Sequence, residues 1–197
     1  MIKLRRGAFE TNSSSMHCLI LTGGRTYTPP DYEDVYEKNL ISGKLIVRFS
    51  LADIDYTAYS TGRFLTSWRD RLSYAIANEA SHWGDKYDRK EFTDAIEAEA
   101  KKHGLTISIR FPRNMEPYGF YINHQSVGTL NTFLSDTVMT LPEFVFNDNV
   151  VVATEGDCAT YKVIIEELHR LGYPDVKSIT SFESTKSADD LLEDDWS

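Results

Sequence analysis

Apolar and polar positions alternate with two different periods along this chain, and the switches between them mark out its elements. Ile2 to Arg6 alternates apolar and charged residues, and Met16 to Thr22 is a short apolar run, so both read as strands joined by a polar block, Glu10 to Ser15. Gly23-Gly24 closes the second strand. Pro29-Pro30 then precedes Tyr32, Val35, Tyr36 and Leu40, whose helical spacing predicts a helix stopped by Gly43, and Lys44 to Ser50 reads as a further strand.

Between Thr61 and Ala80, residues Phe64, Leu65, Trp68, Leu72, Ala75 and Ile76 recur at spacings of three and four, which predicts an amphipathic helix with Arg63, Arg69, Asp70 and Arg71 turned mostly to water. A second helix is expected from an N-cap at Asp88, with Phe92, Ala95, Ile96 and Ala100 inward and Gly104 at its end. Leu105 to Phe111 alternates as a strand, and Tyr118 to Asn123 reads as another, running into His124-Gln125-Ser126 and a short helix with Val127, Leu130, Phe133 and Leu134. Thr140 caps the next helix, with Pro142 in its first turn. Asn149 to Thr154 is β-branched, and Glu155-Gly156-Asp157 leads into a helix carrying Tyr161, Ile164, Ile165, Leu168 and Leu171 before Gly172. Val176 to Thr180 is the last expected strand. Interleaved but not strictly alternating elements predict the α/β class in its α+β form, a mixed β-sheet with several packed helices.

Length and composition support one folded unit. With 197 residues, 41% of them hydrophobic, the chain fills one substantial core, expected over residues 1–186. The remainder, 187–197, reads as an acidic, flexible tail. Net charge is −9, but Asp189, Asp190, Glu193, Asp194 and Asp195 contribute five of those charges, which leaves −4 on the body. This balance disfavours direct nucleic-acid binding, which draws on clustered Lys and Arg, and fits a basic partner instead. No apolar run reaches the length of a membrane span or a secretory signal, so a cytoplasmic protein with no membrane partner is expected. Cys18 and Cys158 sit in apolar surroundings and read as buried thiols.

Three blocks have chemical potential. Phe9-Glu10-Thr11-Asn12-Ser13-Ser14-Ser15-Met16-His17 holds more hydrogen-bonding capacity than a turn requires. Hydroxyls and backbone N–H groups of Asn12, Ser13, Ser14 and Ser15 can cradle an anion, with Arg5 or Arg6 as countercharge and Glu10 or His17 to move a proton. The structural alternative is that these side chains bond their own backbone and shape a tight connection. His124-Gln125-Ser126 and Glu155-Gly156-Asp157 each occupy a strand-to-helix junction, where helix N-termini offer unpaired N–H groups, so His124, Gln125, Ser126 and Asp157 are candidates for the same pocket. Their structural alternative is N-capping by Ser126 and Asp157. The G-x-S-x-G, P-loop, G-x-G-x-x-G and H-E-x-x-H patterns are absent, and the histidines and cysteines lack zinc-type spacing, so no metal ligand and no cofactor is assigned.

The block Phe9 to Ser15 followed by His17 resembles an N-terminal signature of uncharacterised proteins from bacteriophages and their bacterial hosts. His124-Gln125-Ser126 and Phe144-Val145-Phe146-Asn147 resemble later parts of that pattern. The resemblance implies a shared fold and a phage or bacterial setting, and carries no activity. Two functions follow as expectations: an accessory protein with a pocket for a small anionic, nucleotide-like ligand and possible catalysis, or a non-enzymatic acidic protein whose tail, with Leu191, Leu192 and Trp196 among its acids, engages a basic host protein.

Overall fold

The computed structural model of the chain describes residues 16–25, 37–38, 43–57, 63–80, 82–83, 86–116, 119, 121–122, 128–155, 161–181 and 185–187. Strands β1 (Met16–Thr22), β4 (Arg63–Leu65), β6 (Val150–Glu155), β7 (Val176–Thr180) and β8 (Thr185–Ser187) form one sheet in the order β4-β6-β1-β7-β8. Every pairing in it is antiparallel. A smaller sheet has the order β2 (Glu37–Lys38), β3 (Leu45–Arg48), β5 (Ile107–Arg110), with β2 antiparallel and β5 parallel to β3. The fold is therefore α+β, and its mixed pairing is confined to the smaller sheet. Helices α1 (Leu51–Ile54), α2 (Trp68–Ala80), α3 (Lys86–Lys102), α4 (Thr129–Thr137), α5 (Leu141–Phe146) and α6 (Tyr161–Arg170) complete the order. None of the described helices is long and apolar enough to cross a membrane.

The large sheet is buried on both faces because its central strands are apolar in both phases of the pleat. Leu19, Val150 and Val152 point into a core shared with α2, α4, α5 and the smaller sheet, to which Leu72, Ile76, Phe133, Phe144, Val47 and Ile109 contribute. Cys18, Ile20, Val151 and Ala153 point the other way, onto Ile164 and Leu168 of α6 and Tyr173. Cys18 is buried, as expected. Residues facing two hydrophobic layers need no polar alternation, hence the near-continuous β-branched run of β6.

Four expectations are corrected. The predicted helix between Pro30 and Gly43 gives way, at Glu37–Lys38, to a strand paired with Ile46 and Leu45. The helix expected from Thr61 begins only at Trp68; Ser67 caps it, its hydroxyl accepting from the Asp70 N–H at 3.1 Å and donating to the Asp70 carboxylate at 2.7 Å, and Arg63–Leu65 before it is an edge strand. Helix α3 starts at Lys86, so Asp88 lies in its first turn where its charge favours the helix dipole, and Ala95 faces outward.

Arg71 is the fourth correction and the largest, being fully buried although read as facing water. Its Nε donates to the Val145 carbonyl at 2.9 Å, and its Nη1 to the carbonyls of Thr66 at 2.7 Å and Val150 at 3.1 Å. Nη2 reaches Asp148 at 3.3 Å. The planar guanidinium thus ties the entry of α2, the end of α5 and the start of β6 into one node. Burial pulls its pKa below the ordinary guanidinium value, an effect Asp148 opposes.

Candidate polar corner of the large sheet

The end of the large sheet where β1 begins and β6 ends carries a row of three paired residues. His17 on β1 pairs with Thr154 on β6, and Thr154 pairs with Arg63 on β4, so the three side chains rise from one face. The Thr154 hydroxyl leans to the Arg63 carbonyl at 3.4 Å. His17 and Thr154 are buried, whereas Arg63 is exposed and makes no ion pair among the described residues.

Two tyrosines roof the buried part of this row. Helix α1 opens with a capping box between Ser50 and Asp53, and the turn after it presents Tyr56, whose ring stands edge-on to His17 at 6.2 Å and to Tyr74 of α2 at 5.3 Å. Tyr74 meets His17 at 5.6 Å between ring centroids, with its hydroxyl 3.4 Å from His17 Nδ1. The Tyr56 hydroxyl is 2.6 Å from the Ser73 hydroxyl, which donates to the Asp70 carbonyl at 2.8 Å. Ser73 therefore accepts from Tyr56, so the phenol proton points inward along the chain.

Burial governs the ionisation of this cluster. No described side chain offers His17 a countercharge, and burial lowers its pKa from about 6.5 to about 4, so the imidazole is neutral at pH 7. Tyr56 is pushed up to about 12, chiefly by burial, with the Ser73 hydrogen bond opposing. Burial raises Tyr74 as well. His17 Nε2 is buried and has no hydrogen-bond partner among the described residues. An imidazole nitrogen left without a partner in such a place costs free energy unless something bonds it.

Beside the cluster lies a cleft of about 260 Å3 bordered by Tyr56, Arg63, Arg69, Ser73 and the carboxylates of Asp53 and Asp70. Both carboxylates are committed to helix caps. Arg69 donates to the Arg48 carbonyl at 3.1 Å and lies over the Phe49 ring at 5.2 Å, which leaves Arg63 as the cation in this cleft with no described partner.

Of the candidate catalytic and ligand-binding residues, His17 alone is described. Arg5, Arg6, Glu10, Asn12, Ser13, Ser14, Ser15, His124, Gln125, Ser126 and Asp157 lie outside the described residues. Their described neighbours, however, approach this one corner. Met16, which follows Ser15, pairs with Glu155, which precedes Gly156-Asp157. Ile122, two residues before His124, bridges to Tyr56, and the Tyr56 N–H donates to the Tyr121 carbonyl at 2.8 Å. On the other side of His124-Gln125-Ser126, the α4 N-cap is Gly128, with φ 88° and no side-chain cap, so the capping role considered for Ser126 is not the one found. Thr129 in the first turn of α4 is buried with its hydroxyl lacking a described partner.

Sequence reasoning missed Tyr56, Arg63, Ser73 and Thr154. One signal was available for Arg63: the Ser67-x-x-Asp70 capping pattern starts the helix late enough to free residues 63–65 for a strand. Among the described residues no three His, Cys, Asp or Glu side chains gather to hold a metal ion. Compared with protein-family models, curated proteins and solved structures, the chain gives no match.

Proposed function

We propose that the protein holds a small anionic, nucleotide-like ligand at this corner, in the phage or bacterial setting that the Phe9 to His17 signature implies. The observation that supports the reading is the strand register: Met16, which follows Ser15, pairs with Glu155, which precedes Gly156-Asp157, at the sheet end that carries an exposed arginine and a buried imidazole whose Nε2 has no partner among the described residues. In this reading Arg63 joins Arg5 in neutralising the anion, Asn12 and Ser13 to Ser15 bind its oxygens, and Gln125, Ser126 and Asp157 are further ligand contacts. The N-terminus of α4, whose N-cap Gly128 has no side chain to cap it, offers N–H donors and a favourable dipole shortly after His124 to Ser126 in the sequence. Glu10, His17 and His124 are the groups able to move a proton, and His17, being neutral, does so as a base or a tautomeric relay.

A ligand that binds the folded state raises its melting temperature, by the equivalent of about 2.7 kcal/mol at a hundredfold excess over Kd. A thermal-shift screen of nucleotides, sugar phosphates and inorganic phosphate is therefore the test, repeated on Ser14→Ala, His124→Ala and Arg63→Ala. The expected outcome is a saturable shift for the natural chain that all three variants weaken. If Ser14→Ala and His124→Ala bind as the natural chain does, this corner is not the ligand site.

A further inference from the structure

A second cleft, independent of the polar corner, lies where α2 ends against α3 and the first turn of α5. It measures about 410 Å3, within the range of small-ligand sites. Its apolar wall is Trp83 with Phe92, Ala95 and Ile96 of α3 and Leu141 and Pro142 of α5, and its polar rim bears His82 and three carboxylates, Glu79, Asp88 and Glu91. No lysine or arginine lines it among the described residues. Among the described residues Glu91 is exposed and has no partner, and Glu79 is engaged through one oxygen, which accepts from Asn78 Nδ2 at 3.0 Å.

The aromatic group at this cleft already holds a cation of the protein's own. The Arg89 guanidinium lies over the rings of Trp83 and Phe111 at 5.2 and 5.3 Å, and Trp83 packs edge-on against Phe92 at 5.4 Å. A metal ion does not suit the place, because the wall supplies no ligands and the rim carboxylates do not gather closely enough to coordinate one. An organic cation with an aliphatic body suits both parts, laying methylenes along Phe92, Ala95 and Leu141 while its charged ends meet the carboxylates.

We propose that this cleft binds an aliphatic di- or polyamine, its chain on the α3–α5 wall and its ammonium groups on Glu79, Asp88 and Glu91. Spermidine titrated into the full chain at 0.15 M salt, read by calorimetry and by tryptophan fluorescence, is the probe. Expected is saturable one-to-one binding whose fluorescence change disappears in Trp83→Phe while the heat persists. Glu79→Gln/Glu91→Gln, in which residue 79 still accepts from Asn78, should bind about tenfold more weakly. Glu116→Gln/Glu166→Gln, with the same charge change outside the cleft, should leave affinity unaltered. Three results would each overturn the proposal: no saturable binding, equal weakening by both double substitutions, which would reveal attraction to an acidic surface at large, or capture of a lysine-rich peptide with none of the free amine.

Discussion

Acidification probes the buried imidazole most directly. His17 binds its proton near pH 6.5 in the unfolded chain but only near pH 4 in the folded one, so between those values the unfolded state carries the extra proton. Stability is therefore complete above pH 6.5, falls as the pH drops towards 4, and stops changing on this account below that. With about 1.4 kcal/mol for each tenfold change in proton affinity, the whole effect is about 3 kcal/mol, of which about 2 kcal/mol is lost between pH 7 and pH 5. Glu143 and Glu167, whose pKa values are lowered from 4.5 by hydrogen bonds to Thr140 and Arg170, act in the same direction but stay ionised across that interval. Urea unfolding at pH 7 and pH 5 should show the loss in the natural chain and its near absence in His17→Phe. The comparison uses the pH slope of each protein, so it holds even where the substitution itself changes stability. Equal slopes in the two proteins would mean that His17 is protonated or solvated in the native state, and the account of the corner as a neutral, dry cluster would fall.

Three further predictions follow from the packing. Arg71→Met leaves three buried carbonyls without their guanidinium and should cost about 3–5 kcal/mol in urea unfolding, whereas Asp148→Asn, whose side chain is 94% exposed, should cost under about 1 kcal/mol; the reverse order would show that the ion pair, not the carbonyl node, matters. Val138 ends α4 in the left-handed region at φ 52° with its side chain 91% exposed, so Val138→Gly should raise stability by about 1 kcal/mol, read as a higher urea midpoint. Thr140→Ala removes the side-chain half of the α5 capping box and should lower stability by about 1 kcal/mol by the same measurement.

Elements governed by neighbours in sequence were legible. Thr140 with Pro142 and Glu143 fixes the start of α5 within four residues, and Gly104, at φ 76°, ends α3 as a glycine past a last turn should. The runs Met16–Thr22 and Val176–Thr180 form strands over the bounds their composition implies. What failed is non-local. Arg71 looks like a surface residue on any helical wheel, and only the arrival of Thr66, Val145 and Val150 carbonyls from three separate places gives it a reason to be buried. Glu37–Lys38 is a strand because β3 offers it an edge, which no spacing within residues 30–43 encodes. Thr185–Ser187 likewise pairs with β7 although the chain from residue 187 reads as tail.

The polar corner divides along the same line. Glu10 to His17, His124 to Ser126 and Glu155 to Asp157 stand out because each concentrates polar groups where the sequence pattern predicts that a strand starts or ends, a local signal, although around Ile122 the described residues form only an isolated bridge to Tyr56. Whether they concern one another depends on register, and a shift of one residue between β1 and β6 would turn His17 to the opposite face, away from Tyr56 and Tyr74 and onto the α6 layer. Register here is set by residues with no chemical role: Leu19 and Val152 must face one core while Ile20 and Val151 face the other. Hydrophobic packing around the middle of the sheet thereby fixes the alignment of His17, Thr154 and Arg63 at its end. The residues that complete the corner, Tyr56 and Ser73, come from a turn and a helix whose own local roles conceal it.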